Sequence, residues 1–326
     1  MKRLLIAFTF LITAAVVGAG FLYAWGHERF TGPGPLDAEK VVLIERGAGL
    51  QAIAQQLAQE GVIRSPLIFR LGARATGQAT QLKAGEYAFP AEASPEQALQ
   101  IVVSGKTVAR TLTVPEGLTS HEIVARIREA PALTGKIAEV PDEGELLPET
   151  YHYQRGDSRS ELLARMRESM DRALAELWPE RAQDLPYETQ QEAVTLASIV
   201  EKETAVPGER ALVAGVFVNR LERGMRLQSD PTVSFALTEG EKELGRPLTR
   251  ADWRVDHPYN TYRISGLPPG PIANPGRAAL EAALNPADTD YLYFVADGSG
   301  GHAFAKTLRQ HNRNVAEWRK VRDKDK

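Results

Sequence analysis

Ala193-Val194-Thr195-Leu196-Ala197-Ser198-Ile199-Val200-Glu201-Lys202-Glu203-Thr204 is an apolar run at helical spacing that closes on carboxylates. Helical residues advance about 100° each, so with Leu196 at zero, Val200 falls at about +40°, Ile199 at about −60° and Glu203 at about −20°. Glu203 therefore shares the stripe expected to face a core. Glu201 lies roughly 160° away from Glu203, on the flank of Val194 and Ser198. A carboxyl among apolar groups loses hydration, which raises its pKa and lets it keep a proton near neutral pH, as a general acid must. The same position suits a buried ion-pair partner that closes the helix, and spacing alone leaves both readings open.

Around this run the chain reads as helical. Thr119–Glu129, Ser160–Leu177, Thr189–Thr204, Glu209–Arg223 and Ala278–Leu284 carry helical patterns, and Gly224 sits where a glycine ends a helix. Leu227 to Pro275 is rich in turn signals, such as Asp230-Pro231 and Pro268-Pro269-Gly270-Pro271. So long a loop is functional when ordered, and Trp253, Tyr259, Tyr262, Ile264 and Leu267 argue for order. A strand over Tyr291–Ala296 and a helix from about Lys306 follow, and the charged end Arg319–Lys326 reads as frayed.

Upstream lies a smaller unit, with strands expected at Val41–Glu45, Gly85–Phe89 and Val108–Val114 and helices at Leu50–Gln59, Pro66–Ala75 and Pro95–Ser104. Short strands beside helices make the fold class α+β. Before it, residues 26–40 contain Gly32-Pro33-Gly34-Pro35 and read as a linker. Residues 1–25 begin with Lys2 and Arg3 and continue as an uncharged apolar run from Leu4 to Trp25. As a helix that run is about 33 Å long, enough to cross a bilayer. The basic residues favour a cytoplasmic N-terminus, and Tyr23 and Trp25 suit the far interface. A cleaved signal peptide competes, but the run is long for one and no small-x-small cleavage site follows it.

Composition narrows the chemistry. The 326 residues carry a net charge of −3, which does not mark a nucleic-acid binder. The absence of cysteine removes disulfides, thiolate metal sites and a cysteine nucleophile. Six scattered histidines form no ligand pattern, so no metal and no other cofactor is expected. Ser198 sits inside a helix and not at a strand-to-helix elbow, which weakens a serine-hydrolase reading.

Several blocks, in order, resemble the YceG-like endolytic murein transglycosylases. They are Ala197-Ser198-Ile199-Val200-Glu201-Lys202-Glu203-Thr204, Val216-Phe217-Val218-Asn219-Arg220-Leu221, Gly224 to Val233, Tyr259-Asn260-Thr261-Tyr262, Gly266 to Ile272, Tyr291 to Gly298, Gly300-Gly301-His302-Ala303-Phe304 and His311-Asn312. The resemblance implies a transmembrane anchor over 1–25, a LysM-like module over 41–115 and a catalytic domain over 116–326. It also implies that Glu203 is the catalytic acid, the residue the helical face had singled out. At Leu147-Pro148-Glu149-Thr150 the chain departs from the family's aromatic followed by Pro-Asp-Thr, so a sugar-stacking ring is missing there.

The implied reaction is non-hydrolytic cleavage of the MurNAc–GlcNAc β-1,4 bond of peptidoglycan, giving 1,6-anhydroMurNAc ends, by one carboxyl acting as acid and then base. Gln228, Asp230, Tyr259, Asn260, Tyr262 and His302 have side chains suited to gripping sugar, although each also suits a turn, a core or a strand end. With the anchor, this gives an inner-membrane protein with a periplasmic catalytic domain that acts on nascent strands, with peptidoglycan synthases as expected neighbours. Two rivals remain: a hydrolytic muramidase, which needs a second carboxylate such as Asp230 or Glu149, and a non-catalytic peptidoglycan-binding scaffold.

Overall fold

A computed structural model describes residues 2–323 and shows a mixed α+β architecture. Among the described residues it has eleven α-helices and three two-stranded sheets. The chain divides into two compact units between Arg110 and Thr111.

The first unit opens with α1 (Lys2–Thr31), in which Phe8–Thr31 is apolar enough to span a membrane. The helix runs beyond Trp25, and Phe30 and Leu36 are buried in this unit's core. Segment 26–40 is thus partly helix and partly packed chain. The Phe30 ring fills the space over Gly72, where a Cβ would lie 2.2 Å from it. β1 (Lys40–Ile44), α2 (Leu50–Gln59), α3 (Pro66–Ala75), β2 (Gly85–Phe89) and α4 (Pro95–Ser104) follow. β1 pairs antiparallel with β2, with Val42 opposite Tyr87. Ile44, Tyr87 and Phe89 meet Ile53, Leu57, Phe69 and Leu99 in the core. Ser94 and Gln97 form a reciprocal capping box that fixes the start of α4.

β3 (Arg110–Thr113) begins at the boundary and leads, in the second unit, to α5 (Ser120–Glu129), β4 (Thr150–Tyr153), α6 (Arg159–Leu177), α7 (Gln190–Glu203) and α8 (Arg210–Glu222). α9 (Asp230–Thr238), α10 (Arg277–Leu284), β5 (Tyr293–Ala296), β6 (His302–Ala305) and α11 (Leu308–Arg322) complete it. β3 pairs with β4, and β5 with β6. A Thr189–Glu192 capping box starts α7. Every residue from Ala193 to Val200 is buried, so this helix is enclosed on all sides and has no single inward stripe. Leu196, Ile199 and Val200 pack with Phe217 of α8 and Leu280 and Leu284 of α10.

Four elements differ from the sequence reading. Asp230-Pro231, taken there as a turn, opens α9, because proline is tolerated in the first turn of a helix, where its missing N–H costs nothing. β4 and β6 are four-residue strands, too short to give a periodic signal. α11 continues to Arg322, so part of the end expected to fray is helical, and its last three residues lie outside the described set. Gly224 behaves as expected: at φ +63° it ends α8 while Met225 N–H donates back to the Arg220 carbonyl at 2.8 Å.

Asn274 is the polar joint of this unit. Fully buried, its Oδ1 accepts from Gly144 N and Leu146 N (3.1 and 3.0 Å), and its Nδ2 donates to the Leu118 carbonyl and Ser120 Oγ (3.2 and 3.0 Å). Asn274→Ala strands several buried partners at once. The expected loss is about 2–4 kcal/mol, read as a lower denaturant midpoint at unchanged slope.

Candidate active site

Glu203 ends α7, and its Oε1 accepts a 2.5 Å hydrogen bond from the Ser229 hydroxyl. Part of the residue reaches solvent, yet its carboxyl is enclosed enough to be pushed up to about 7. Burial is the main cause; the Ser229 bond lowers it, the Asp230 charge raises it, and His302 and Arg220 lower it. Ser229 occupies the N-cap of α9, but its hydroxyl serves Glu203 and not the helix. Its own N–H donates to Thr261 Oγ1 at 2.9 Å, and Thr232 Oγ1 donates to its carbonyl at 2.7 Å, which fixes its position. Ser229→Ala removes a donor that favours the ionised form. The pH–rate profile is therefore expected to move to higher pH, and an unmoved profile would deny Ser229 this role.

Glu201, placed by helical angle on the far flank, is also buried, with its side chain 5% exposed. Its Oε2 accepts from Gly276 N at 3.0 Å and its Oε1 meets Arg210 at 3.5 Å. Burial raises both carboxyls, so their partners divide the two readings of this helix end: Glu201 is braced by Arg210 and Gly276 N, whereas Glu203 is held by the Ser229 hydroxyl.

Glu209 organises the opposite side. His302 Nδ1 meets Glu209 Oε2 at 2.6 Å, and His302 N–H donates to Glu209 Oε1 at 2.8 Å. Burial alone would raise the Glu209 carboxyl, but these hydrogen bonds outweigh it and hold it low. The ionised Glu209 keeps the proton on Nδ1 of His302 and leaves Nε2 for other partners. Gly301 is needed for this approach, since a Cβ there would sit 2.7 Å from Glu209 Oε1. Arg220, 8% exposed, donates through Nε to the Leu292 carbonyl (2.7 Å) and through Nη1 to the Leu227 carbonyl (2.6 Å), and its guanidinium lies over the Tyr293 ring. It ties β5 to the turn that leads into Ser229.

The residues nominated from sequence are sorted by the structure. Asp230 is exposed, and its Oδ1 accepts from Tyr262 Oη (2.7 Å) and Trp253 Nε1 (3.0 Å). The Trp253 and Tyr262 rings stack at 5.7 Å. Asp230 and His302 both act on the charge of Glu203, and Tyr262 joins them through Asp230. Gln228 is exposed beside Ser229 with a left-handed backbone (φ +51°), strain of the kind that collects at functional turns. Asn260 is not positioned as a sugar contact: it is fully buried, donates to the Trp253 and Val255 carbonyls and accepts from Tyr262 N, so it shapes the loop. Tyr259 is turned elsewhere, into a pocket of about 410 Å³ lined also by Phe235, Glu143, His121 and Gln191 but not by Glu203. Burial pushes Glu143 up to about 7 there, against hydrogen bonds from Ser120. Leu147 is core, packed with Met170.

Sequence reasoning passed over Ser229, Glu209, Trp253 and Arg220 as site residues. Only Arg220 had left a readable sign, since it repeats the buried face of Val213 and Phe217 at helical spacing and so is a cation aimed inward.

Comparison with known proteins agrees with this architecture. The sequence model of the YceG-like family matches residues 42–317. The endolytic murein transglycosylase of Bacillus subtilis strain 168 is 32% identical over 331 residues, covering 91% of this chain and 89% of that protein. That of Streptococcus pneumoniae D39 is 31% identical, covering 95% of this chain; the chain spans 64% of the pneumococcal protein's length. A 2.6 Å crystal structure of a yceG-like protein from Listeria monocytogenes superposes with a TM-score of 0.53 at 32% identity, covering 84% of this chain and 98% of that one. The chain belongs to the YceG-like family.

Proposed function

We propose that this chain is a membrane-anchored endolytic peptidoglycan transglycosylase in which Glu203 serves as both acid and base. The observation that carries the reading is the Glu203 carboxyl, enclosed at the end of a buried helix, bonded by the Ser229 hydroxyl and pushed up to about 7 by burial. The names of the relatives support the substrate and reaction class.

In this reading protonated Glu203 gives its proton to the oxygen of the MurNAc–GlcNAc bond as that bond breaks. The substrate's own N-acetyl carbonyl stabilises the positive anomeric carbon. Glu203, now ionised, takes the proton of the C6 hydroxyl, whose oxygen closes on the anomeric carbon to give the 1,6-anhydro end. Acid and base are one group, so a pKa near working pH serves both steps. Asp230 is held by Trp253 and Tyr262, whose stacked rings offer a face for a sugar, and Gln228 and His302 supply hydrogen bonds. A muramidase would need a second carboxylate such as Asp230 or Glu149 to activate water; Asp230 is already engaged on Oδ1 by Tyr262 and Trp253, a structural use of that side chain.

α1 is the anchor, with the N-terminus cytoplasmic and the remainder periplasmic. Residues 41–115 are a LysM-like module and residues 116–326 the catalytic domain. An anchored enzyme reaches newly made strands first, with synthases as neighbours. Mass spectrometry of digested sacculi tests the reaction: product ends lighter by one water than reducing ends support it, and reducing ends overturn it.

A further inference from the structure

We propose that α3 lies in the surface of the bilayer that holds α1, with Leu67 and Leu71 seated at the boundary between lipid headgroups and acyl chains. The inference rests on the reading of α1 as an anchor. About 20 helical residues cross a hydrocarbon core. A span starting at Leu4 therefore reaches the far boundary near Leu22 and Tyr23, where aromatic side chains belong.

α1 does not leave that boundary on a free tether. It continues as helix into the first unit, with Phe30 wedged over Gly72 of α3. This fixes the depth of α3 relative to the span. Leu71, Gly72 and Ala75 line, with Leu22, Tyr23 and Gly26, one cavity of about 420 Å³, so this part of α3 sits level with the end of the apolar run.

The outer face of α3 has the matching chemistry. Leu67 and Leu71, one turn apart, are 58% and 51% exposed. Outside α1, the other large hydrophobic side chains exposed among the described residues are Val41, Leu308 and Val321, none of which neighbours another on one helix face. Arg74 is exposed in the last turn of α3, and on α1 Arg29 lies over the Trp25 ring, one turn beyond the apolar run. Apolar side chains at the boundary with arginines beside them are the pattern of a helix lying in an interface, the cations meeting lipid phosphates. A module so held cannot swing freely about its anchor.

The chain has no cysteine, so single cysteines can be labelled without background. Leu67→Cys, Leu71→Cys, Gln55→Cys on the exposed side of α2, and Phe10→Cys within α1 would each carry an environment-sensitive fluorophore. Each full-length variant is placed in phosphatidylethanolamine–phosphatidylglycerol vesicles containing nitroxide lipids. The expected result is loss of at least half the fluorescence at positions 67 and 71 with headgroup nitroxide, deep quenching at 10 with acyl nitroxide, and none at 55. Quenching at 10 with positions 67 and 71 behaving like 55 overturns the placement of α3 and leaves the anchor intact. Absence of quenching at 10 removes the anchor reading, and this inference with it.

Discussion

Glu203→Gln is expected to lose glycan cleavage by about a thousandfold or more, since one residue carries both proton transfers, and to gain stability above neutral pH. The amide can still accept the Ser229 hydroxyl, so the local packing survives. Burial pushes folded Glu203 up to about 7 against an ordinary 4.5 for an exposed glutamate. Between those values the folded state holds a proton that the unfolded state has released. The stability tied to this group is therefore complete below the ordinary value and is lost as pH rises through 7. At pH 8 the desolvated carboxylate costs on the order of 3 kcal/mol. Thermal melts should show the variant above the wild type at pH 8 and close to it at pH 5. Equal melts at both values would mean that the carboxyl is not desolvated, and retained cleavage would favour the scaffold reading.

Arg220→Lys should be the next most damaging change of similar size and charge. The guanidinium reaches the Leu292 and Leu227 carbonyls with separate nitrogens, a fork that an ammonium cannot reproduce. Leaving one buried carbonyl without a donor costs about 1–3 kcal/mol. The freed turn carries Ser229 and Asp230, so activity should fall about tenfold or more as their geometry loosens. Arg220→Met separates position from charge: removing the cation raises Glu203 further and moves the pH–rate profile upward, whereas the lysine variant should leave it nearer the wild type. A lysine variant with wild-type stability and rate would show that the fork is dispensable.

The elements were legible wherever local chemistry determines them. Capping residues such as Ser94 and Thr189, and periodic apolar positions in α2, α3 and α6, carry their own boundaries. α9 was hidden because Asp-Pro signals a turn and a helix start equally, and the choice is made by the Ser229 N–H donating to the distant Thr261 Oγ1, with the Thr232 hydroxyl donating locally to the Ser229 carbonyl. Glu203 was found by a stripe argument whose premise was too simple, because the enclosed helix buries Glu201 as well; partners, not angle, separate the two. Tyr259 and Tyr262 look alike in sequence but part ways, Tyr259 lining a pocket with Phe235 and Glu143 and Tyr262 bonding to Asp230, since Asn260 between them is buried and the chain turns about it.

The account turns on the protonation of a single side chain, and a carbon-13 titration of the Glu203 carboxyl in the full-length protein, assigned by its absence from Glu203→Gln, measures it directly. A midpoint near 7 is the predicted result. A midpoint at the ordinary glutamate value of about 4.5 would contradict the mechanism, because the group would then have no proton to give at working pH.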